Sequence, residues 1–438
     1  MCPASCVSDF LSCLGIQSPA PAAPGESPAA SGEAGSLCSS HRRFSEIFPP
    51  PAPVLEQHGS DGAESHPPAI AAAADLDCLR RPLAALPSSP TGGVGCSRGV
   101  RKSPQILQGF FYGDRDDNSD CYGHFMNLLG RSMPPVDPSF TFLKELPEIE
   151  KITLLHSCNG LVLFQRWRLL VSNRIQTLGY VVCNPATKEW VTVPRSGWTL
   201  HKDEESYRNE QMHTLTYLIF NPSVSSEFKL VQLSRICLKV VYTYSSESGV
   251  WCSRVVECRT LKGLDGLISC QGGAFINGML HLTVSDRPEY QDAIVAVDGE
   301  GKTCRTFCWP KEHGSIDFLG QSQGHLYCAS GHRDRNGCMM SELLIWVLED
   351  YGTEQWILKD SVICSQLFEE SHSFYVSRLA AIHPDHNLIF FVNYMNGKLI
   401  SYDMDSKEVI ALGTVEYRFC SITPYFPYFV ESPALAKK

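Results

Sequence analysis

The sequence predicts an all-β protein with the strand pattern of a β-propeller of about six blades, preceded by a segment without a packed core. Short runs of β-branched and aromatic residues recur between turn residues from about Ile106 onward. Helical periodicity is almost absent from the same region. A loose repeat, in which a turn precedes an apolar strand, recurs along it.

The first 100 residues are rich in Pro, Ala, Ser and Gly, as in Pro49-Pro50-Pro51-Ala52-Pro53. Such a composition buries too little apolar surface to offset the entropy of ordering, so we predict disorder for residues 1–100. Two less polar islands, 10–16 and 76–86, are too short to form stable isolated helices. The predicted division is therefore a disordered segment 1–100, a β-domain 101–432 and a tail 433–438.

The clearest element spans residues 157–194. Asn159-Gly160 supplies the positive backbone dihedrals of a tight turn, and the apolar run 161–164 follows it as a strand. Two further strand-like runs, 180–183 and 190–193, flank the turn residues Asn184-Pro185-Ala186-Thr187-Lys188-Glu189. The segment predicts a turn, a strand and a hairpin whose closing residue, Trp190, is buried against the run 161–164.

The rest of the β-region contains many similar runs, and the best short helical pattern is at 367–374. The predicted strands are 215–220, 228–233, 238–244, 250–256, 279–284, 293–297, 303–308, 343–348, 388–392 and 398–402.

Four turns mark the repeat, and an aromatic residue closes most units about 30 residues later. The turns are Asn159-Gly160, Asn277-Gly278, Gln323-Gly324 and His386-Asn387, and the closing aromatics are Trp190, Phe307 with Trp309, and Trp356.

Gly278 and Gly324 are 46 positions apart, and the 118 positions between Gly160 and Gly278 would hold two units. Units of about 45 to 60 residues with several strands are typical of propeller blades. A length of about 330 residues then gives six blades, or seven. The alternative architecture, two stacked β-sandwiches, predicts even strand spacing without this period.

Composition excludes several function classes. The net charge is −10 and no basic run exceeds two residues, so a nucleic-acid partner is not expected. No apolar run approaches the roughly 20 residues that cross a bilayer, and the N-terminus lacks a secretory pattern. The 19 cysteines are scattered, mostly within apolar strands, and are expected to be reduced core residues. These features predict a cytoplasmic or nuclear protein, or one present in both compartments.

Motifs for catalysis or cofactor binding are missing from the sequence. It contains no Gly-x-Ser-x-Gly elbow, no phosphate-binding Gly-x4-Gly-Lys-Ser/Thr loop and no His-Glu-x2-His pair. Cys304-x3-Cys308-x4-His313 superficially resembles a metal set, but alternation from Thr303 to Cys308 favours a core strand. The pair His383 and His386 is interpreted as part of a turn. We therefore expect no enzyme activity, cofactor or metal site.

Longer polar loops are better candidates for function because a rigid scaffold lets loops carry binding residues. One such loop contains Arg287 and Tyr290, and another contains Arg333 and Arg335. Arg and Tyr are favoured anchors at protein interfaces. These four residues are the predicted partner-binding positions.

The segment 157–194 resembles the start of the F-box-associated domain of plant F-box proteins. In that family a Cys-Asn-Gly strand precedes a Cys-Asn-Pro-Ala-Thr-Lys-Glu-Trp hairpin, as at 158–163 and 183–190 here. Residues 105–113 and 135–143 are similar to the linker that precedes this domain in grass members, and 426–432 to its end. The resemblance implies a kelch-like propeller that selects a substrate protein for an SCF-type ubiquitin ligase.

The F-box itself is not recognisable before Gln105. That position holds Leu86-Pro87-Ser88-Ser89-Pro90-Thr91-Gly92-Gly93, with no leucine-rich helix and no Trp after it, and proline and glycine disfavour helices. Binding of a Skp-type adaptor is therefore in doubt. The alternative function is a stand-alone interaction or decoy protein without ligase contact. A substrate protein is the expected partner, with no nucleic acid and no membrane.

Overall fold

The computed structural model describes residues 106–114, 123–129, 136–137, 139–146, 151–169, 175–197, 214–234, 240–256, 267–268, 272–286, 291–331, 342–367, 377–393, 396–415 and 419–435. Within these residues the strands form six antiparallel sheets, which are the six blades of a β-propeller. No helix among the described residues has both the length and the apolar character needed to cross a membrane.

The two ends of the described chain share one sheet, the closing blade. It consists of β1 (Gly109–Asp114), β2 (His124–Asn127) and the last strand, β24 (Phe419–Tyr425), in the order β2-β1-β24. Blade 1 contains β3 (Lys151–Cys158), β4 (Leu161–Leu169), β5 (Ile175–Asn184) and β6 (Glu189–Pro194). Blade 2 contains β7 (Thr214–Phe220), β8 (Phe228–Ser234), β9 (Val240–Ser245) and β10 (Val250–Val255).

Blade 3 has its innermost position divided between two short strands. It contains β11 (Leu267–Ile268), β12 (Ala274–Ile276), β13 (Met279–Asp286), β14 (Gln291–Asp298) and β15 (Cys304–Cys308), and both β11 and β12 pair with β13.

Blades 4 and 5 return to four strands each. Blade 4 contains β16 (Ser315–Ser322), β17 (His325–Gly331), β18 (Glu342–Asp350) and β19 (Gln355–Ile363), and blade 5 contains β20 (Ser377–Ile382), β21 (Leu388–Asn393), β22 (Lys398–Asp403) and β23 (Val409–Thr414). Helical turns are few among the described residues: α1 (Cys364–Leu367) and the 3-10 segments Thr141–Glu145, Lys311–His313 and Pro433–Leu435.

The inner strands β3, β7, β12, β16, β20 and β24 stand side by side around the ring. Neighbouring pairs among them are in contact, and the Tyr217 hydroxyl of β7 donates to the Gly272 carbonyl just before β12 at 3.3 Å. A parallel bridge joins Gly272 to Leu319 of β16, so successive inner strands run in the same direction. Equivalent ends of all blades therefore face the same end of the ring.

The hydrophobic core lies between blades rather than within them. One cluster of buried residues fills each of the six junctions. In β4, Leu161 and Leu163 face blade 2 while Val162 and Phe164 face the closing blade. Successive side chains of a strand point to opposite faces, so a strand buried on both faces is a continuous apolar run.

Strand β1 closes the ring by pairing with β24 from Gly109 opposite Tyr425 to Asp114 opposite Phe419. Phe110 packs against blade 5, whereas Phe111 packs towards blade 1 and lies 4.9 Å from the Tyr425 ring centroid. Residues 105–113 resemble a linker in sequence, but their strand is part of the propeller. The ring cannot close without it.

Residues 136–146, also expected to include linker, are core as well. Val136, Phe140, Leu143 and Leu146 are buried in the junction between the closing blade and blade 1. The Asp137 carboxylate accepts the Ser139 N–H at 3.0 Å and the Thr141 N–H at 2.7 Å, which fixes the entry to the 3-10 segment. Burial alone would raise the pKa of Asp137, but these hydrogen bonds stabilise the carboxylate and the net effect is a lowered pKa.

Most predicted strands agree with the observed ones within a few residues, and the blade count of six is confirmed. Trp190 is partly buried and packs against the cluster that contains Val162 and Phe164. The predicted helix 367–374 overlaps the described residues only at Leu367, the last residue of α1. Leu435, expected in a tail, is fully buried between blades 1 and 2.

The cysteines are more varied than expected. Cys183 and Cys328 are free thiols in the core, and burial raises the pKa of each well above its usual value. Cys252 is free but exposed. Cys304 is disulfide-bonded, with its partner outside the described side chains, so the expectation of a reduced thiol was wrong there. Strand propensity predicted the position of Cys304 in β15 but carries no information on its redox state.

Two glycines in equivalent turns provide a matched test of the packing at one end of the ring. Gly160 and Gly278 both follow an asparagine with positive φ and have φ of 92° and 76° themselves. A Cβ on Gly160 would lie 2.4 Å from the Tyr428 Cβ, whereas a Cβ on Gly278 would have no atom within 4 Å. Gly278→Ala should lower the free energy of unfolding by about 1–2 kcal/mol, because of backbone strain alone. Gly160→Ala should cost about 1–3 kcal/mol more, because of the collision.

Denaturant unfolding of both variants measures this difference. In a Tyr428→Gly background, the extra cost of Gly160→Ala should shrink in part, since the nearest obstructing atom, the Tyr428 Cβ, is gone while the Tyr428 backbone N at 2.6 Å remains. Equal losses for Gly160→Ala and Gly278→Ala would show that the C-terminal segment does not pack on this turn.

Candidate functional site

The ring has two chemically different ends. At the first, the turn end, the inner strand of each of blades 1 to 5 connects to the second strand of its blade, and the third strand connects to the fourth. Three of the inner connections are two-residue turns with positive φ at both positions, which matches the type I′ geometry of tight hairpins. They are Asn159-Gly160 (47°, 92°), Asn277-Gly278 (53°, 76°) and Gln323-Gly324 (50°, 80°).

The outer connections at the turn end share a side-chain motif. The side chain of the last residue of the third strand accepts a hydrogen bond from the backbone N–H two residues later, at 2.7 to 3.0 Å, which helps to hold the turn. This residue is Asn184, Asp298, Asp350 and Asp403 in blades 1, 3, 4 and 5. The motif explains why Asn-Pro-Ala-Thr-Lys-Glu recurs in altered form along the sequence.

Polar contacts tie neighbouring blades together at the turn end. Asn159 donates to the Phe220 carbonyl at 2.6 Å, and Gln323 donates to Asn387 at 2.7 Å. Lys407 lies 2.5 Å from the Asp360 carboxylate, which also accepts the Tyr402 hydroxyl at 2.9 Å. Asp360 is buried, so these two partners offset the cost of taking its charge out of water.

Blades 3 and 4 are joined there by Arg305 of β15, which contacts Glu354 and Tyr351 of blade 4. The Arg305 guanidinium lies 3.0 Å from the Glu354 carboxylate, 4.5 Å from the Phe307 ring centroid and 5.0 Å from that of Tyr351. Tyr351 also contacts the buried ring of His281, whose Nε2 is 2.9 Å from the hydroxyl. Arg305 therefore combines an ion pair with cation–π contacts across one junction.

His281 is held in one protonation state by this arrangement. Its Nδ1 lies 3.2 Å from the Ala274 carbonyl, which can only accept, so Nδ1 carries the proton and Nε2 accepts from Tyr351. Burial lowers the pKa of His281 to about 4, and the charge of Arg305 acts in the same direction. The imidazole is thus neutral at physiological pH, and its role is structural.

The C-terminal segment crosses the turn end after β24. Asn184 donates to the Tyr428 carbonyl at 2.8 Å, and the Ser432 N–H donates to Glu189 at 3.1 Å. Leu435 then enters the core between blades 1 and 2. An exposed apolar strip on this segment, which includes Phe429, was missed at the level of sequence because its residue types are those of buried strands.

The opposite end, the loop end, carries the connections between second and third strands. The residues predicted to bind partners, Arg287, Tyr290, Arg333 and Arg335, all lie outside the described residues. The strand ends that flank them are described: Asp286 and Gln291 for the first pair, Gly331 and Glu342 for the second. All four strand ends face the loop end.

Chemical groups for catalysis or metal binding are not gathered in the part of the chain that the structure describes. No group of three or more His, Cys, Asp and Glu side chains there could hold a metal ion. His383 is fully buried in the turn between β20 and β21, where its Nδ1 accepts the Asp385 N–H at 3.1 Å. Burial, reinforced by the neighbouring His386, lowers the pKa of His383 to about 3.

Comparison with known proteins gives one strong match. The family model described as "F-box protein At3g26010-like, beta-propeller" matches residues 131–423. No curated protein matches significantly.

Two solved structures match this chain at low identity and low TM-score. A chain of a nidogen/laminin complex has a TM-score of 0.39 and 11% identity, covering 72% of this chain and 98% of that one. Prolyl oligopeptidase B from Galerina marginata has a TM-score of 0.33 and 12% identity, covering 61% of this chain and 34% of that one. At these scores neither similarity bears on function.

Buried neutral histidines predict a pH dependence of stability. The pKa of His281 is lowered in the folded state, so the unfolded chain binds a proton first as pH falls. The stability associated with His281 is present above about pH 6.5 and is lost as pH falls towards 4. When pH falls from 7 to 5, this histidine alone should lower the free energy of unfolding by about 2 kcal/mol.

Denaturant unfolding at the two pH values tests this for the wild type, His281→Gln and His325→Gln. His281→Gln should flatten the pH dependence, whereas His325→Gln, a change at an exposed residue, should leave it unchanged. An identical slope for His281→Gln and wild type would contradict the assignment.

Proposed function

We propose that this chain, which belongs to the F-box protein At3g26010-like beta-propeller family, binds a protein partner through the connections at its loop end. The supporting observation is the arrangement of strand ends. Asp286 and Gly331 belong to adjacent blades and both lead into loop-end connections, so two polar loops rich in interface-favoured residues leave a rigid ring on the same side.

Two roles fit such a module. By family resemblance, the propeller selects a substrate protein for ubiquitination within an SCF-type ligase. The second role, a stand-alone interaction or decoy protein, is favoured by the sequence before Gln105, which contains no recognisable F-box. The family match covers the propeller and does not extend to an F-box. The two roles differ in one physical contact, that with the Skp-type adaptor.

Replacing both Arg333 and Arg335 by Ala should lower the affinity for the partner about tenfold or more. The thermal midpoint should not change, because exposed loop charges contribute little to folding. Partners are identified by crosslinking and co-purification with the full chain, and affinity is then measured by biolayer interferometry. Arg254→Ala, a change at an exposed arginine on β10, is the matched control and should bind as wild type. Undiminished binding by the double variant would place the partner elsewhere.

The adaptor contact is tested with the full chain and purified Skp-type adaptor. We expect no complex, because the three-helix face that binds the adaptor in this family requires a leucine-rich segment that the sequence before Gln105 lacks. A stable complex on size-exclusion chromatography would favour the ligase role and reveal a divergent F-box.

A further inference from the structure

Two chain segments lie side by side at the turn end and are pinned together at both ends. One is the stretch 220–226 that follows β7, and the other is the stretch 428–432 of the C-terminal segment. The rings of Phe220 and Tyr428 pack edge to face at 5.4 Å, and the Ser432 hydroxyl donates to the Ser226 carbonyl at 3.0 Å. On the C-terminal side these anchors are four positions apart, so the stretch between them is about 14 Å long at most.

Three large apolar side chains between these anchors face solvent. Val224 is 81% exposed, Phe429 64% and Val430 58%. We call these three residues the tail strip. Single exposed apolar residues are common on protein surfaces, but a group of three on two segments that are fastened together is typical of an interaction site.

The tail strip rests on a fixed base rather than on a frayed terminus. Asn184 holds the Tyr428 carbonyl, Glu189 holds the Ser432 N–H, and Leu435 is buried beyond them. The strip is therefore presented in one conformation before any partner arrives. Such preorganisation lowers the entropic cost of binding.

The described charges around the tail strip are mostly negative. Glu431 adjoins Val430, and Glu227 follows Ser226 and contacts the Ser246 hydroxyl, with Glu247 next in sequence. Glu189 binds the backbone of Ser432, and Lys188 beside it is the one described basic residue in these turns. Lys437 and Lys438 lie outside the described residues. An apolar centre with an acidic rim is complementary to an apolar side chain flanked by basic ones.

We propose that the tail strip is a second docking site, distinct from the loop end, for a peptide segment of a partner protein that carries an apolar side chain flanked by Lys or Arg. The acidic rim argues against two other occupants. A second copy of this chain would bring like charges together across a symmetric interface. An anionic membrane surface would repel the rim.

A random-peptide display library, panned on the full chain, tests the proposal. Enriched peptides should contain an aromatic or aliphatic residue close to Lys or Arg. Their affinity, measured by fluorescence anisotropy, should fall about tenfold or more for the double variant Phe429→Ser and Val430→Ser. It should fall similarly for Glu431→Lys with Glu227→Lys, and it should weaken as salt concentration rises.

Two controls separate this site from the others. Ile357→Ser with Leu358→Ser, on the exposed strand β19 of blade 4, should leave peptide binding unchanged. Arg333→Ala with Arg335→Ala should also leave it unchanged, so failure of the loop-end proposal and failure of this one are distinguishable. Matching thermal midpoints for all variants show that each is folded.

Three results would overturn the proposal. The first is a set of enriched peptides whose affinity for the Phe429→Ser and Val430→Ser variant equals that for wild type, or a set of enriched peptides that are acidic. The second is concentration-dependent dimerisation in sedimentation velocity that this variant abolishes, which would make a second copy the occupant. The third is binding to phosphatidylserine vesicles that the same variant abolishes.

Discussion

The pairing of β1 with β24 is the contact on which the rest of the structure depends. Each blade is apolar on both faces, so each must be covered on both sides by a neighbour. A row of such sheets would leave two apolar faces in water, and a closed ring leaves none. Closure is achieved by hydrogen bonds between the first and last described strands, with Phe110 and Phe111 filling the junctions on either side.

Closure also gives the ring two distinct ends, the turn end and the loop end. At the turn end, short turns fix each blade, and contacts such as Asn159 to Phe220 and Arg305 to Glu354 tie neighbours together. Because these turns are determined by dihedral and hydrogen-bond requirements, little sequence freedom remains in them. Most of the second-to-third strand connections at the loop end lie outside the described residues, and they are the connections that we propose for recognition.

Much of the fold could be predicted from local sequence. The turns at Asn159-Gly160, Asn277-Gly278 and Gln323-Gly324 have a backbone requirement that few residue types meet, and the apolar runs after them match the observed strands. The role of β1 and the burial of Leu435 could not be predicted, because their partners lie hundreds of residues away. The tail strip was missed for the converse reason: Phe429 and Val430 have the composition of a core strand and are exposed only because their neighbours fasten the backbone in place.

The pairing of Gly109 with Tyr425 joins positions that are 316 residues apart (425 − 109). A ribosome adds about 5–20 residues per second, so β1 emerges roughly 15 to 60 s before the strand that completes its sheet. During that interval the first and fifth blades lack the complete sheet that covers one apolar face of each. The sheet that closes the ring is therefore the last to be completed as the chain is synthesised.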